Sequence, residues 1–299
     1  MNPGSAISVF RYNSNALPDH KFKAIKSMGD HLAIPRRQAN ELARSISVRE
    51  NRCWSIPGTG SSIYRLAGIY SLGLLAMVWL NNAQAETTIS LLTGQAWTYS
   101  SDVRLQQPGG TDLTFNDVSW DTKPFEMPPY YAIRVTRWLD RSPDWGLAVD
   151  FNHAKMYSDP EQLVQVSGQQ SGAAVNGLVR LGDTFSELEF TDGHNLLTIN
   201  ALRRWRLAER LHPYLGGGLG VAIPHVEVGT VEGLTYEYQL AGPAAQLIAG
   251  INFPLGERFS FITEYRLSWA DIDAKLDSGG SLSTEALSHH LNFGIGFSF

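Results

Sequence analysis

From position 88 onward the chain repeatedly alternates apolar and polar residues in segments of about ten. That is the length and period of a tilted strand crossing a bilayer. Eight such segments stand out, at 88–99, 130–139, 145–156, 195–206, 213–223, 244–253, 258–269 and 287–299. In the seventh, Phe259, Phe261, Thr263, Tyr265, Leu267 and Trp269 share one face, while Arg258, Ser260, Glu264 and Arg266 share the other, with Ile262 out of pattern. In the eighth, Leu291, Phe293, Ile295, Phe297 and Phe299 alternate with His290, Asn292, Gly294, Gly296 and Ser298. One face suits lipid and the other a polar lumen. A soluble sandwich also alternates, so the connections carry the distinction. They run strictly long and short: 100–129, 157–194, 224–243 and 270–286 are long, while 140–144, 207–212 and 254–257 are short. The expected fold is therefore all-β, an eight-stranded antiparallel transmembrane β-barrel with short periplasmic turns and long external loops. Trp97, Tyr99, Tyr130, Tyr131, Trp138, Trp145, Trp205, Tyr214 and Trp269 fall near strand ends, where interfacial girdles form. The terminal aromatic strand ending in Phe299 suits recognition by the barrel assembly machinery.

One apolar run, Ile63 to Leu80, precedes the barrel region. With Arg65 as a positive n-region, Leu66 to Leu80 as the apolar h-region and Ala83-Gln84-Ala85 after it, 62–85 reads as a cleaved signal peptide. An uncleaved membrane anchor is the alternative, and the run is short for one. Residues 1–61 are expected to be an N-terminal extension, disordered or not translated, and 86–299 the exported barrel. The predicted localisation is the bacterial outer membrane. Of the 24 basic and 29 acidic residues, ten and four lie in 1–85, which leaves 86–299 with a net charge of −11. That excludes nucleic acid as an electrostatic partner. The one cysteine, Cys53, also lies in 1–85, so a disulfide within 86–299 is excluded.

A barrel of eight strands fills its own interior with side chains, so general porin function is not expected. Chemistry is expected at the outer rim, in the loops or on the wall near the outer leaflet. Six of the eight histidines lie in 86–299, and all but His212 fall at or beyond the outer strand ends. Strand parity points His194 and His290 inward, with Asp150 and Glu264. Such groups near one rim suit a divalent metal or acid–base work. The same carboxylates can instead pair with Arg134 and Arg266 inside the barrel. The external loops are acidic and Arg137, Arg141, Arg203, Arg204, Arg206, Arg210 and Arg258 crowd the opposite end. Acidic loops beside anionic lipopolysaccharide would take divalent cations between them, or simply keep the surface solvated.

The most specific text is the stretch 117–138, which contains Trp120, Asp121, Pro124, Phe125, Glu126, Pro128, Pro129, Tyr130, Tyr131, Arg134 and Trp138. Its prolines stiffen the approach to the second strand, either to order a ligand-facing surface or to make a rigid corner. With the compact barrel and Phe299, this stretch resembles the rhizobial lipid A oxidase family. The resemblance implies an oxygen-dependent oxidation of the proximal glucosamine of 1-dephosphorylated lipid A to 2-aminogluconate. It implies lipid A or lipopolysaccharide and outer-membrane lipids as partners, with molecular oxygen as oxidant. No flavin or nicotinamide motif is readable, which favours a divalent or redox metal as cofactor. On topology alone, His194 and His290 are then the candidate ligands, and Glu264 or Asp150 the candidate base. A non-catalytic barrel serving membrane integrity, lipopolysaccharide binding or surface recognition is the competing class, and a conduit for small hydrophobic molecules a third.

Overall fold

The computed structural model describes residues 85–299. The expected extension at 1–61 and nearly all of the signal peptide at 62–85 lie outside the described residues. Eight long strands form the wall: β1 (Thr87–Thr98), β5 (Tyr131–Leu139), β6 (Ser142–Ser158), β9 (Glu187–Arg204), β10 (His212–Ala222), β13 (Gly242–Pro254), β14 (Phe259–Lys275) and β15 (Ser281–Ser298). They pair in the order β1-β5-β6-β9-β10-β13-β14-β15, and β1 pairs antiparallel with β15 to close the ring. This is the predicted eight-stranded antiparallel barrel. Among the described residues no helix is long and apolar enough to cross a membrane.

The long connections are more ordered than their loop-like sequence suggests. They hold seven further strands: β2 (Ser101–Gln107), β3 (Thr111–Val118), β4 (Trp120–Asp121), β7 (Leu163–Gln170), β8 (Ala173–Arg180), β11 (His225–Thr230) and β12 (Gly233–Tyr238). β2 pairs with the outer half of β15, and β3, β7 and β8 follow it edge to edge. β11 pairs with the start of β9 and with β12. The barrel wall thus continues above the membrane as a second, water-facing tier.

Side-chain parity shows where the membrane ends. Even-numbered residues of β14 and β15 face inward along their whole length. In the lower part the inward set is Glu264, Arg266, Ser268, Ser288, His290 and Asn292, all buried, while Phe259, Phe261, Tyr265, Leu287, Leu291, Phe293 and Ile295 are exposed on the outside. In the upper part the inward set becomes Ala270, Ile272, Ala274, Leu282 and Ala286. Outside there, Asp271, Asp273 and Glu285 replace the aromatics. The change falls between two paired rows, Trp269↔Leu287 and Ala270↔Ala286. Lipid accepts apolar side chains and leaves the polar ones to the lumen, whereas water reverses both preferences.

The upper tier is closed by an apolar core that includes Val103, Leu105, Phe115, Trp120, Met156, Phe185, Leu188, Phe190, Val226, Val228, Ile272 and Leu282. Phe115 and Phe185 meet edge to face at 5.1 Å, a favoured aromatic geometry. This core sits directly above the polar lumen. The interior therefore offers no wide channel, as the strand number predicts.

Candidate functional site

Two places collect polar chemistry: the lumen within the membrane, and a groove on the outer wall.

The lumen is organised by charge. Arg134 on β5 donates from Nε to Asp150 Oδ2 at 2.6 Å, and from Nη1 and Nη2 to Glu264 at 2.6 and 2.9 Å. Arg266 Nη2 donates to Asp150 Oδ2 at 3.0 Å and to Glu264 Oε1 at 3.1 Å. The Tyr214 hydroxyl donates to Glu264 Oε2 at 2.7 Å. Tyr214 reaches that far because Gly250 lies under its ring; a Cβ there would stand 2.4 Å from Tyr214 Cζ. All four charged groups are essentially fully buried. The two arginines balance the two carboxylates, the arrangement a buried charge requires.

His194 and His290 face inward, as parity requires, and both are buried. His290 Nε2 lies 2.8 Å from Ser268 Oγ. Both ring nitrogens of His194 and the Nδ1 of His290 have no hydrogen-bond partner, so they are chemically free to ligate. Of the two carboxylates proposed as base, Glu264 has both oxygens engaged and Asp150 keeps Oδ1 unpartnered.

The second place was not assembled by sequence reasoning. Outward-facing residues of β6 run Val149, Phe151, His153 and Lys155. His153 pairs with Tyr131 on one side and Asn195 on the other. Above this row β6 and β9 slip past each other at a bulge between Ala154 and Met156, which brings Asp192 and Gly193 alongside. The result is a groove lined by Pro128, Tyr131, Phe151, His153, Asp192, Asn195, Ile223 and Tyr238. It lies where the outer wall changes from apolar to polar. Tyr131 stacks on the His153 ring at 4.9 Å. His153 Nδ1 lies 2.8 Å from Asn195 Oδ1, and its Nε2 is unpartnered.

The stretch 117–138 forms one flank of this groove and is well anchored. Trp120 is buried against Phe190 at 6.1 Å and donates from Nε1 to Ser101 Oγ at 2.9 Å. Thr122 Oγ1 donates to the Ala96 carbonyl at 2.7 Å, and Thr93 Oγ1 to the Tyr130 carbonyl at 3.0 Å. Between these anchors the turn carries a cis Met127–Pro128 bond. Phe125 and Met127 in this segment are more than four-fifths exposed, at 84% and 83%. The segment is an anchored corner that also flanks the groove, and it carries exposed apolar tips.

Beyond the groove, the Asp192, His225 and Glu227 ligand atoms lie within 4.8 Å of one another; among the described residues they are the one such group of three or more. Tyr236 and Tyr238 flank the His225 ring edge to face at 4.5 and 4.6 Å. The local field is negative. Tyr236 is pushed up to about 12 by burial and by the Glu227 and Asp192 carboxylates. Burial, then Glu227 and Glu187, raise the Glu189 carboxyl. His225 sits at an outer strand end in the sequence, and both carboxylates lie in acidic loops. What the sequence does not carry is the β11–β9 pairing that joins them.

No protein-family model matches the chain, and no curated protein matches it. Among solved structures, the chain is similar to the outer membrane protein OprG from Pseudomonas aeruginosa. The two are 12% identical over 72% of this chain and 96% of that one, with a TM-score of 0.38. For the outer membrane protein AlkL the identity is 17%, over 72% and 90% of the chains, with a TM-score of 0.38. For Neisserial surface protein A it is 10%, over 72% and 97%, with a TM-score of 0.37. Likeness at this level carries no functional information; the barrel is established by its own closed strand ring.

Proposed function

We propose that this protein is an outer-membrane barrel that acts on lipid A of the outer leaflet. The specific reaction proposed is oxygen-dependent oxidation of the proximal glucosamine of 1-dephosphorylated lipid A to 2-aminogluconate. One observation carries the reading: the groove opens on the lipid-facing wall at the level where that wall turns from apolar to polar. An amphiphile lying there would rest acyl chains against Phe151 and Ile223 and present its sugar to His153, Asn195 and Asp192. The likeness of 117–138 to lipid A oxidases names the substrate, and that segment borders the groove.

In this reading the groove residues bind and orient the sugar. His153, in the groove lining, is the proposed acceptor of the anomeric hydroxyl proton. The anomeric carbon gives up two electrons and its hydrogen to oxygen, which leaves as peroxide, and water opens the resulting lactone. A bound redox metal would supply the route for those electrons. The lumen set is the second proposed place for this chemistry, with His194 and His290 as ligands and Asp150 or Glu264 as base. The free ring nitrogens fit that role, but the apolar upper core lies between this set and the outside.

The test is mass spectrometry of 1-dephosphorylated lipid A after aerobic incubation with membranes containing the protein. A species one oxygen heavier, absent without oxygen and lost in His153→Ala, supports oxidation in the groove. Loss in His194→Ala with His290→Ala, but not in His153→Ala, moves the chemistry to the lumen. Unmodified lipid A with a folded barrel favours a non-catalytic barrel for membrane integrity, lipopolysaccharide binding or surface recognition. The ion-paired lumen and its apolar cover already favour that second reading.

A further inference from the structure

Asp192, His225 and Glu227 come from two strands that meet only in the outer tier. His225 Nδ1 lies 2.9 Å from Glu227 Oε1 and 3.9 Å from Asp192 Oδ2. Donors bound tetrahedrally to one ion at about 2.1 Å stand about 3.4 Å apart. The two observed separations bracket that value, so small side-chain rotations would bring all three onto one ion. The His225 side chain is more than nine-tenths buried, the Glu227 side chain is 12% exposed, and Asp192 is partly exposed, which leaves an approach from outside.

Two features bear on a cation at this group, beside the Lys155 ammonium that already acts on Asp192 and Glu227 and the Lys123 ammonium that acts on Glu189. Glu227 stands directly opposite Glu189 across the β11–β9 ladder, a like-charge pair that costs stability. The His153 side chain is buried, lines the same groove as Asp192, and keeps Nε2 without a partner. The neighbouring groups hold the site rather than fill it. The Thr191 hydroxyl donates to Glu227 Oε1, and the Tyr236 hydroxyl donates to Asp192 Oδ2 at 3.3 Å. The Tyr238 hydroxyl fixes the Asp192 carbonyl at 2.7 Å.

We propose that Asp192, His225 and Glu227 form a divalent transition-metal site on the outer tier. An imidazole with two carboxylates selects ions such as Zn²⁺, Co²⁺, Mn²⁺ or Fe²⁺ over Mg²⁺ and Ca²⁺, which prefer oxygen alone. The site stands independently of the lipid A reading, since it would bind metal whatever lies in the groove.

The test is titration of the full-length, chelator-stripped protein in detergent with Co²⁺, followed by calorimetry and by visible absorption. One ion per chain is expected, with a ligand-field band. Asp192→Asn and His225→Ala should each weaken binding at least tenfold, while His289→Ala, on the opposite side of the ring, leaves it unchanged. Asp192→Asn preserves shape and is partly exposed, so it keeps the test decisive if His225→Ala fails to fold. Folding is checked by the compact gel mobility of an unheated barrel. No binding by the folded protein, or binding equal in wild type and Asp192→Asn, overturns the site. Metal bound with lipid A left unmodified would keep the site and reject the oxidase reading.

Discussion

Below the Trp269↔Leu287 row, β14 and β15 turn Tyr265, Leu291 and Phe293 outward and Glu264, Arg266 and His290 inward. Above it, the same strands turn Asp271, Asp273 and Glu285 outward and Ile272, Ala274 and Leu282 inward. The backbone pairing is unbroken across the boundary and the parity does not change. Only the solvent changes. Where lipid surrounds the wall, the apolar groups have a solvent outside and the lumen holds what lipid rejects. Where water surrounds it, burial of apolar groups inside is again favourable. The lower half is held by matched charges and hydrogen bonds, and the upper half by a packed core. The groove lies at the join, which is why it offers both an apolar wall and polar groups to one ligand.

The largest expected effect is in the lower half. Glu264→Ala leaves Arg134 and Arg266 buried with one carboxylate between them, and loss of one partner of such a set costs about 3–5 kcal/mol. Denaturant unfolding in micelles should show the drop, and an unchanged midpoint would mean the lumen charges do not hold this half together. Next in size is a charge placed on either side of the boundary. Tyr265→Lys, on the lipid-facing wall, should cost about 2–4 kcal/mol. Asp273→Lys, on the same face eight residues higher, should stay within about 0.5 kcal/mol. Equal costs would erase the boundary drawn here.

The smallest effect is at the periplasmic end. Glu86 accepts from both Arg204 Nη1 at 2.9 Å and Nη2 at 2.6 Å. Burial alone would raise its carboxyl, but the Arg204 guanidinium, helped by Arg206 and His212, holds it below the ordinary 4.5. An unfolded chain therefore takes up this proton first on acidification. The latch's contribution is complete above the ordinary range and is lost as pH falls through the lowered folded value. Wild type should lose unfolding resistance over that acid window, and Glu86→Gln should show a flatter profile there.

Much of this protein is legible from alternation. Each of the eight wall strands overlaps a segment that the period-two pattern marks, because lipid outside and polar groups inside impose it on each strand separately; β9 starts eight residues earlier than its segment, β14 ends six later and β15 starts six earlier, where the strands leave the membrane. His194, His290, Asp150 and Glu264 face inward for the same reason, and the available arginines already hint that the carboxylates are paired. The upper tier is less legible. β7 and β8 form a hairpin whose stability comes from neighbours on β3, not from its own Gly- and Ser-rich text. The groove and the Asp192–His225–Glu227 group are less legible still. They depend on a bulge between Ala154 and Met156 and on β11 folding back onto β9.

The sequence alone thus determined the number of wall strands, the direction their side chains face, and the membrane as the surrounding solvent, since each is a local consequence of the alternation. Only the tertiary structure decided which distant residues share a site, because register and bulges across non-adjacent segments set those distances and no local pattern encodes them.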